Sequence, residues 1–220
     1  MAEGANVTEQ NAEVYHLVGG RFCLDFSNTA GDRGTADPQE WLWSYAAFVN
    51  WSQYAGLLTD EQAEHLRRTA AERPAEAAAT LERAISLRET IYRILSAVAR
   101  QRSPDQGDLD RFNASLAEAM PHLRVIQTAD GFDWAWDGAS DALDRMLWPI
   151  VWSAVELLKS DELAHVRECA NDQCSWLFLD LSRNHSRRWC DMQSCGNLVK
   201  ARRHYARHTT SRNEPDTPCA

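Results

Sequence analysis

The sequence has no apolar run that approaches the roughly 20 residues needed to cross a bilayer. Residues 1–20 also lack the basic start and the apolar stretch before a small-residue cleavage site that a secretory signal requires. We therefore expect a soluble cytoplasmic protein with no membrane partner. In such a reducing compartment disulfides are rare, so grouped cysteines are expected to bind a metal instead.

Motifs typical of common enzymes are also missing. The chain contains no phosphate-binding loop, no dinucleotide fingerprint and no nucleophile elbow. No histidine pair forms the H-E-x-x-H motif of a hydrolytic zinc site, and His16, His65, His122 and His165 are scattered. Because no paired acid and base can be recognised either, we expect no enzymatic activity and no catalytic residues.

Cysteine is scarce, with six residues in 220, but four of the six are grouped. They form two C-x4-C pairs separated by fifteen residues: Cys169 with Cys174, and Cys190 with Cys195. Two short-spaced thiol pairs supply the four ligands of a tetrahedral Zn²⁺ site. We therefore predict one zinc ion per chain. The ion would be structural, because four thiolates leave no coordination position for a reactive water.

The charge of the chain changes sign around these cysteines. The whole sequence has 23 Lys and Arg against 32 Asp and Glu, for a net charge of −9. Residues 181–212 contain eight basic residues and only Asp191 as an acid, a net charge of +7, which leaves −16 for the rest. A basic segment beside a metal site is typical of proteins that bind polyanions.

The basic residues after the last cysteine are spaced for one face of a helix, with Asn197 as its expected N-cap. That face carries Lys200, Arg203, His204 and Arg207, without an acidic residue. Guanidinium groups suit phosphate and guanine, so nucleic acid is the preferred ligand, although a solvated surface helix is the alternative. The predicted nucleic-acid contacts are Arg183, Arg187, Arg188, Lys200, Arg203 and Arg207.

Several short motifs in this segment carry a family resemblance. They are SRN at 182–184, SRRWCDM at 186–192 and CGN at 195–197, followed by the basic run KARR at 200–203. Together they resemble the CGNR zinc finger of bacterial transcription regulators. Near the amino terminus, LVGG at 17–20 and LDFSNT at 24–29 resemble the ABATE domain that precedes this finger. One departure is visible, because the family motif ends in Arg where this chain has Leu198.

The resemblance implies a mainly α fold with a small β component. A helical ABATE-like regulatory domain with one hairpin would occupy residues 14–160, and a four-cysteine ββα-type, treble-clef-like finger would occupy 161–208. We expect a disordered leader at 1–13 and a flexible tail at 209–220, since both lack an apolar pattern.

Local signals predict the individual elements. Helices are expected over 38–54, 60–72, 75–100, 104–119 and 140–158, with a kink at Pro149. A hairpin is expected from 123–128 and 132–136 around a Gly-containing turn. Two further strands, at 164–168 and 175–181, would flank the first cysteine pair.

The polar residues near the amino terminus leave two interpretations open. Arg21, Asp25 and Asn28, with Thr29, lie among apolar residues. They either line a ligand pocket or tie this terminus to the core through hydrogen bonds, because buried polar groups need partners.

The leading interpretation is a transcription regulator whose finger binds double-stranded DNA and whose helical domain senses a small-molecule effector or forms a homodimer. The alternative is a non-enzymatic adaptor, in which the arginines meet an acidic protein. RNA is a further alternative, since Trp189 and Tyr205 could stack on bases.

Overall fold

The computed structural model describes residues 15–138 and 140–211. The predicted leader and residues 212–220 of the predicted tail lie outside them. The described chain is mainly helical with small antiparallel strand pairs, so the predicted fold class is confirmed. Among the described residues, no helix combines the length and the apolar character required to span a bilayer.

The described part of the chain contains seven α-helices. They are α1 (Phe22–Ser27), α2 (Tyr45–Tyr54), α3 (Asp60–Glu72), α4 (Pro74–Ala99), α5 (Gln106–Ala119), α6 (Leu147–Lys159) and α7 (Asn197–Ser211). Shorter helical turns cover Met120–His122, Asp161–His165 and Met192–Gly196. Because α7 continues to Ser211, the first three residues of the predicted tail are helical.

Residues 15–138 and 140–211 also contain three antiparallel strand pairs. β1 (Ala30–Gly31) pairs with β2 (Gln39–Glu40), and β3 (Leu123–Thr128) pairs with β4 (Gly131–Trp136) in the predicted hairpin. β5 (Val166–Glu168) pairs with β6 (Leu177–Leu179), and these two strands flank the first cysteine pair as predicted.

Local sequence signals explain the helices that were predicted well. The Thr59 hydroxyl accepts from Gln62 N at 3.2 Å while the Gln62 side chain accepts from Thr59 N at 2.9 Å, which forms a capping box at the start of α3. Pro74 begins α4 at its first position, where the missing N–H costs nothing. Asp105 caps α5 by accepting from Asp108 N, so that helix begins two residues later than predicted.

Two predicted helix starts are wrong. Residues 39–40 pair with 30–31 as strands, and α2 begins only at Tyr45, where the Ser44 hydroxyl accepts from Ala47 N at 3.0 Å. α6 begins at Leu147 instead of near Ser140. Pro149 therefore lies in the first turn of α6, where backbone N–H groups have no intrahelical acceptor, and the basis of the predicted kink is lost.

The hydrophobic core joins the helical region to the strands beside the cysteines. Phe26 of α1 packs on Phe48 and Trp51 of α2, with ring centroids 5.9 and 5.4 Å away. Val166 of β5 and Leu177 of β6 are fully buried in the same core cluster. The first cysteine pair is therefore held at the edge of the main core.

Candidate metal centre and basic surface

The four predicted zinc ligands come together. The sulfurs of Cys169, Cys174, Cys190 and Cys195 all lie within 4.8 Å of one another. Cys190 Sγ is 3.7 Å from both Cys174 Sγ and Cys195 Sγ. Sulfurs bound tetrahedrally at about 2.3 Å from zinc would be separated by about 3.8 Å, so this arrangement fits a single Zn²⁺.

A tight turn presents the first two thiols. Cys169 follows β5, and its N–H donates to Trp176 O at 2.8 Å across the strand pair. Cys174 N donates to Asn171 O at 2.9 Å, and Ser175 then adopts a left-handed conformation with φ of 57°. The turn directs both sulfurs to one side, so the short spacing is sufficient for two ligands of one ion.

A helical turn presents the second pair. Cys190 precedes Asp191, whose carboxylate accepts from Ser194 N at 2.8 Å and caps the turn Met192–Gly196 that carries Cys195. Asn197 has helical φ and ψ of −68° and −40°. The prediction that Asn197 caps α7 is therefore wrong, because the chain has already become helical five residues earlier, with Asp191 as the cap.

The electrostatics of the cluster favour a cation at its centre. Hydrogen bonds from Cys174 and Cys190 lower the pKa of the Cys169 thiol, whereas hydrogen bonding to Cys169 raises the pKa of the other two. Four adjacent thiolates without a positive ion would repel one another strongly in this largely buried site. Asn171 Nδ2 also donates to Cys195 Sγ at 3.4 Å, which orients that sulfur. When bound, zinc supplies only structural cross-linking here.

A buried carboxylate organises the loop between the two cysteine pairs. Asp180 is fully buried and accepts from Ser182 N at 3.0 Å, from the Ser182 hydroxyl at 2.6 Å and from Arg187 N at 2.9 Å. Burial favours the neutral acid, but these donors hold the pKa of Asp180 below its usual value. Asp180 is not among the functional residues predicted from the sequence. Its signal is an acid placed directly after the apolar strand LFL.

Arg187 is half-buried and contacts the chain beside the cysteine cluster. Its guanidinium donates to the carbonyl oxygens of Trp189 and Cys190 and lies 4.4 Å above the Phe178 ring. This side chain was predicted to contact nucleic acid, and that prediction stays untested. The observed contacts instead fix the backbone beside the ligand Cys190.

The other predicted basic contacts lie on the surface where they are described. Arg183, Arg188 and Lys200 are exposed, and no ion pair among the described side chains involves them. Arg203 and Arg207 belong to α7, but their side chains lie outside the described part of the structure. The loop before Cys190 and the helix after Cys195 therefore both carry exposed basic groups.

Family comparisons agree with this geometry. A family model described as "ABATE: Putative stress-induced transcription regulator" matches residues 20–161, more than half of the chain. The chain belongs to the ABATE family. A second model, the CGNR zinc finger, matches residues 165–208, which contain all four clustered cysteines. No curated protein matches the sequence. The predicted family and the zinc cofactor are thus confirmed.

Leu198, which stands where the CGNR motif has Arg, lies on the surface of the structure. Leu198 is 44% exposed in the first turn of α7, one helical turn after the ligand Cys195. Its side chain is therefore not part of the core, which agrees with a position that holds a charged residue in the family motif.

The polar residues at the start of the ABATE region separate into two groups. The Asn28 amide donates to Leu177 O at 2.8 Å and accepts from Leu177 N at 2.9 Å, so it ties α1 to β6. Thr29 donates to Phe26 O. Arg21 and Asp25 instead line a surface cavity, and Asp25 Oδ1 accepts from Gly19 N at 2.8 Å. The predicted ligand pocket remains a prediction.

Proposed function

We propose that this ABATE protein is a DNA-binding transcription regulator, in which the CGNR finger contacts double-stranded DNA and the helical region senses a ligand or mediates dimerisation. The observation that carries the proposal is the basic α7, which follows directly from the cysteine cluster. No acidic residue occurs between Met192 and Arg212. The metal would fix the start of this helix, so that its basic side chains are presented on a rigid element.

The proposed DNA contacts are Arg183 and Arg188 of the loop and Lys200, Arg203 and Arg207 of α7. Arg187 is assigned to holding the loop, because its donors are already directed at carbonyl oxygens. Basic side chains on two neighbouring elements would follow a phosphate backbone and reach base edges in a groove.

The rest of the molecule supports a DNA surface restricted to the finger. The net charge of −16 outside residues 181–212 would repel a polyanion. We infer that residues 161–208 form the DNA-binding unit and residues 14–160 the regulatory unit of a cytoplasmic protein without enzymatic activity. A zinc ion with four thiolate ligands has no open position for catalysis.

Binding of the full-length, zinc-loaded protein to labelled duplex DNA tests the proposal. Fluorescence anisotropy over a range of salt concentrations gives the number of phosphates contacted. The double variant Arg203→Ala, Arg207→Ala should weaken binding and reduce the salt slope by about two, because each phosphate contact contributes about one. The matched control is Arg68→Ala, Arg102→Ala, which removes two exposed arginines elsewhere on the surface.

The outcomes separate the candidate functions. Equal duplex binding by the α7 variant and the wild type would reject the DNA surface and favour the adaptor. Tighter binding to single-stranded RNA than to duplex DNA would favour RNA. Selection of bound sequences from a random duplex pool tests the oligomeric state. A two-fold symmetric site would indicate that a dimer binds, and it would give the half-site spacing.

A further inference from the structure

A cavity of about 470 Å³ lies between α1, the β3–β4 hairpin and α6. The hairpin contributes Asp133, Trp134 and Trp136, and α6 contributes Trp152 and Glu156. Arg21 and Asp25 come from the start of the chain. This volume lies within the range of small-molecule sites.

Aromatic rings form the hairpin side and the α6 side of the cavity. Trp134 and Trp152 have ring centroids 6.0 Å apart and planes inclined by 56°, so they form a corner. Trp136 also lines the cavity, and its ring packs on the ring of Trp148. Trp134 is 54% exposed, so much of its ring is accessible from solvent. The hairpin thus holds an indole at the edge of a cavity without covering it.

The charges around these rings are mainly negative. Asp25, Asp133 and Glu156 all line the cavity, whereas Arg21 is the one basic residue among its described lining residues. The Arg21 guanidinium already donates to Glu162 Oε2, with its Nε at 2.9 Å. The cavity therefore carries uncompensated carboxylates beside electron-rich indole faces.

We propose that this cavity binds an organic cation, an amine or quaternary ammonium compound, between Trp134 and Trp152. Indole faces attract cations that come within about 6 Å of the ring centroid. The surrounding carboxylates add long-range attraction and would exclude anions. The proposal concerns the ABATE region alone and holds whether or not the finger binds DNA.

Asp25 gives this site a buried carboxyl group, and among the described residues it forms no ion pair with a basic side chain. The residue is 7% exposed, and burial raises the pKa of its carboxyl to about 6. Its Oδ1 is fixed by Gly19 N, so the carboxyl is held in place before a ligand enters. A bound cation would stabilise the ionised carboxylate and offset the cost of its burial.

Calorimetric titration of the full-length, zinc-loaded protein can test this inference with small probes. Choline and phenethylamine are the cationic probes. 3,3-Dimethylbutan-1-ol matches choline in shape without the charge, and 3,3-dimethylbutanoate carries the opposite charge. We expect saturable binding of at least one cation and affinity for the neutral alcohol at least about tenfold weaker than for choline.

Matched variants on the hairpin locate the site. Trp134→Leu and Asp133→Asn should each weaken cation binding several-fold. Phe132→Leu and Asp130→Asn are the controls, because Phe132 is 78% exposed and neither residue lines the cavity. All four positions are exposed, so the variants should fold, and circular dichroism checks this.

Three results would overturn the proposal. The first is the absence of saturable binding by both cations. The second is equal or tighter binding of the neutral alcohol or of 3,3-dimethylbutanoate, which would indicate an apolar or anion site. The third is a loss of cation binding in Phe132→Leu and Asp130→Asn as large as in Trp134→Leu and Asp133→Asn, which would place the ligand elsewhere on the hairpin.

Discussion

Arg187 illustrates how a basic residue in a basic segment can serve the fold. Its guanidinium donates to the carbonyl oxygens of Trp189 and Cys190, one on each side of the Cys190 Cα, and covers the Phe178 ring. Two carbonyls at a fixed spacing suit the planar fork of arginine, whereas a lysine ammonium is a single point of charge. The residue therefore acts as a positioning group for the ligand Cys190.

We expect Arg187→Lys to weaken the metal centre even though the charge is kept. The loss of hydrogen bonds to partly buried carbonyls should cost about 1–3 kcal/mol of finger stability. Zinc release to a chelator, followed with a chromogenic dye, measures this loss. The neighbouring exposed Arg188→Lys is the control and should release zinc at the wild-type rate. Equal rates in all three proteins would contradict the positioning role.

Asp25 should make stability depend on pH. Its pKa is about 6 in the folded protein, against an ordinary value of 3.8, so the folded state holds the proton more tightly than the unfolded chain. Stability contributed by this group is therefore present below about pH 4 and is lost as pH rises to about 6.

In Asp25→Asn the amide oxygen can still accept from Gly19 N, but the charge is gone. The variant should gain stability relative to the wild type between pH 4 and 7, by at most about 3 kcal/mol. Urea unfolding at a series of pH values measures the difference. A constant difference between the two proteins across this range would exclude titration of Asp25 as the cause.

The sequence predicted the metal ligands but not the residues that support them. Cysteine spacing is a local property, so two C-x4-C pairs identify the cluster before any fold is known. Asp180 and Arg187 act through backbone groups of a loop whose path depends on the metal and on β6. Their partners cannot be read from residue type or spacing, because those atoms come together only in the folded loop.

At the scale of elements, helix starts were predictable where the chain itself supplies the cap. Thr59 with Gln62 is a complete local signal, and Pro74 is another. Asp37 followed by Pro38 also has the form of a helix start, an N-cap residue before Pro. However, residues 39–40 pair with β1, and Glu40 accepts from the buried Arg88 at 2.6 Å. A distant ion pair and a strand partner outweighed the local preference.

Leu198 offers a test on α7 that does not depend on removing a side chain. Its exposure means that Leu198→Arg should be accommodated, and the change restores the residue of the family motif. On the proposed DNA-binding helix, the added cation should raise duplex affinity and steepen the salt slope by up to about one.

Leu198→Gln is the control for this change, since it is polar and of similar length but uncharged. Both variants are titrated by anisotropy over the same salt series. An unchanged slope in Leu198→Arg, together with wild-type chelator resistance, would mean that the start of α7 faces away from DNA.

At the scale of the whole molecule, α4 contacts both sides of the first cysteine pair. Tyr92 OH donates to Ser175 O at 3.1 Å, and Glu168 accepts from Ser96 and Arg100. The loop before β2 also packs tightly against the turn between Cys169 and Cys174. A Cβ at Gly34 would lie only 1.8 Å from Asp172 O in that turn. Any side chain at Gly34 would displace the cysteine turn. The first half of the finger thus packs against the helical region. The boundary predicted at residue 160 from the sequence gives no indication of this contact.

This arrangement predicts an unequal response to loss of zinc. Cys190→Ser removes one thiolate and should abolish stoichiometric metal binding, which elemental analysis measures. β5 and β6 should persist, because Val166, Leu177 and Leu179 are buried in the main core independently of the ion. No described side chain of the loop at 181–189 or of α7 belongs to that core, so both segments should depend on the second cysteine pair. Limited proteolysis should therefore cleave Cys190→Ser within 181–211 while the fragment ending near β6 resists, and most of the helical circular dichroism remains.

Cys23→Ser, a buried cysteine outside the cluster, is the control and should keep one zinc per chain. Loss of all helical signal in Cys190→Ser would show instead that the metal stabilises the whole chain as one unit.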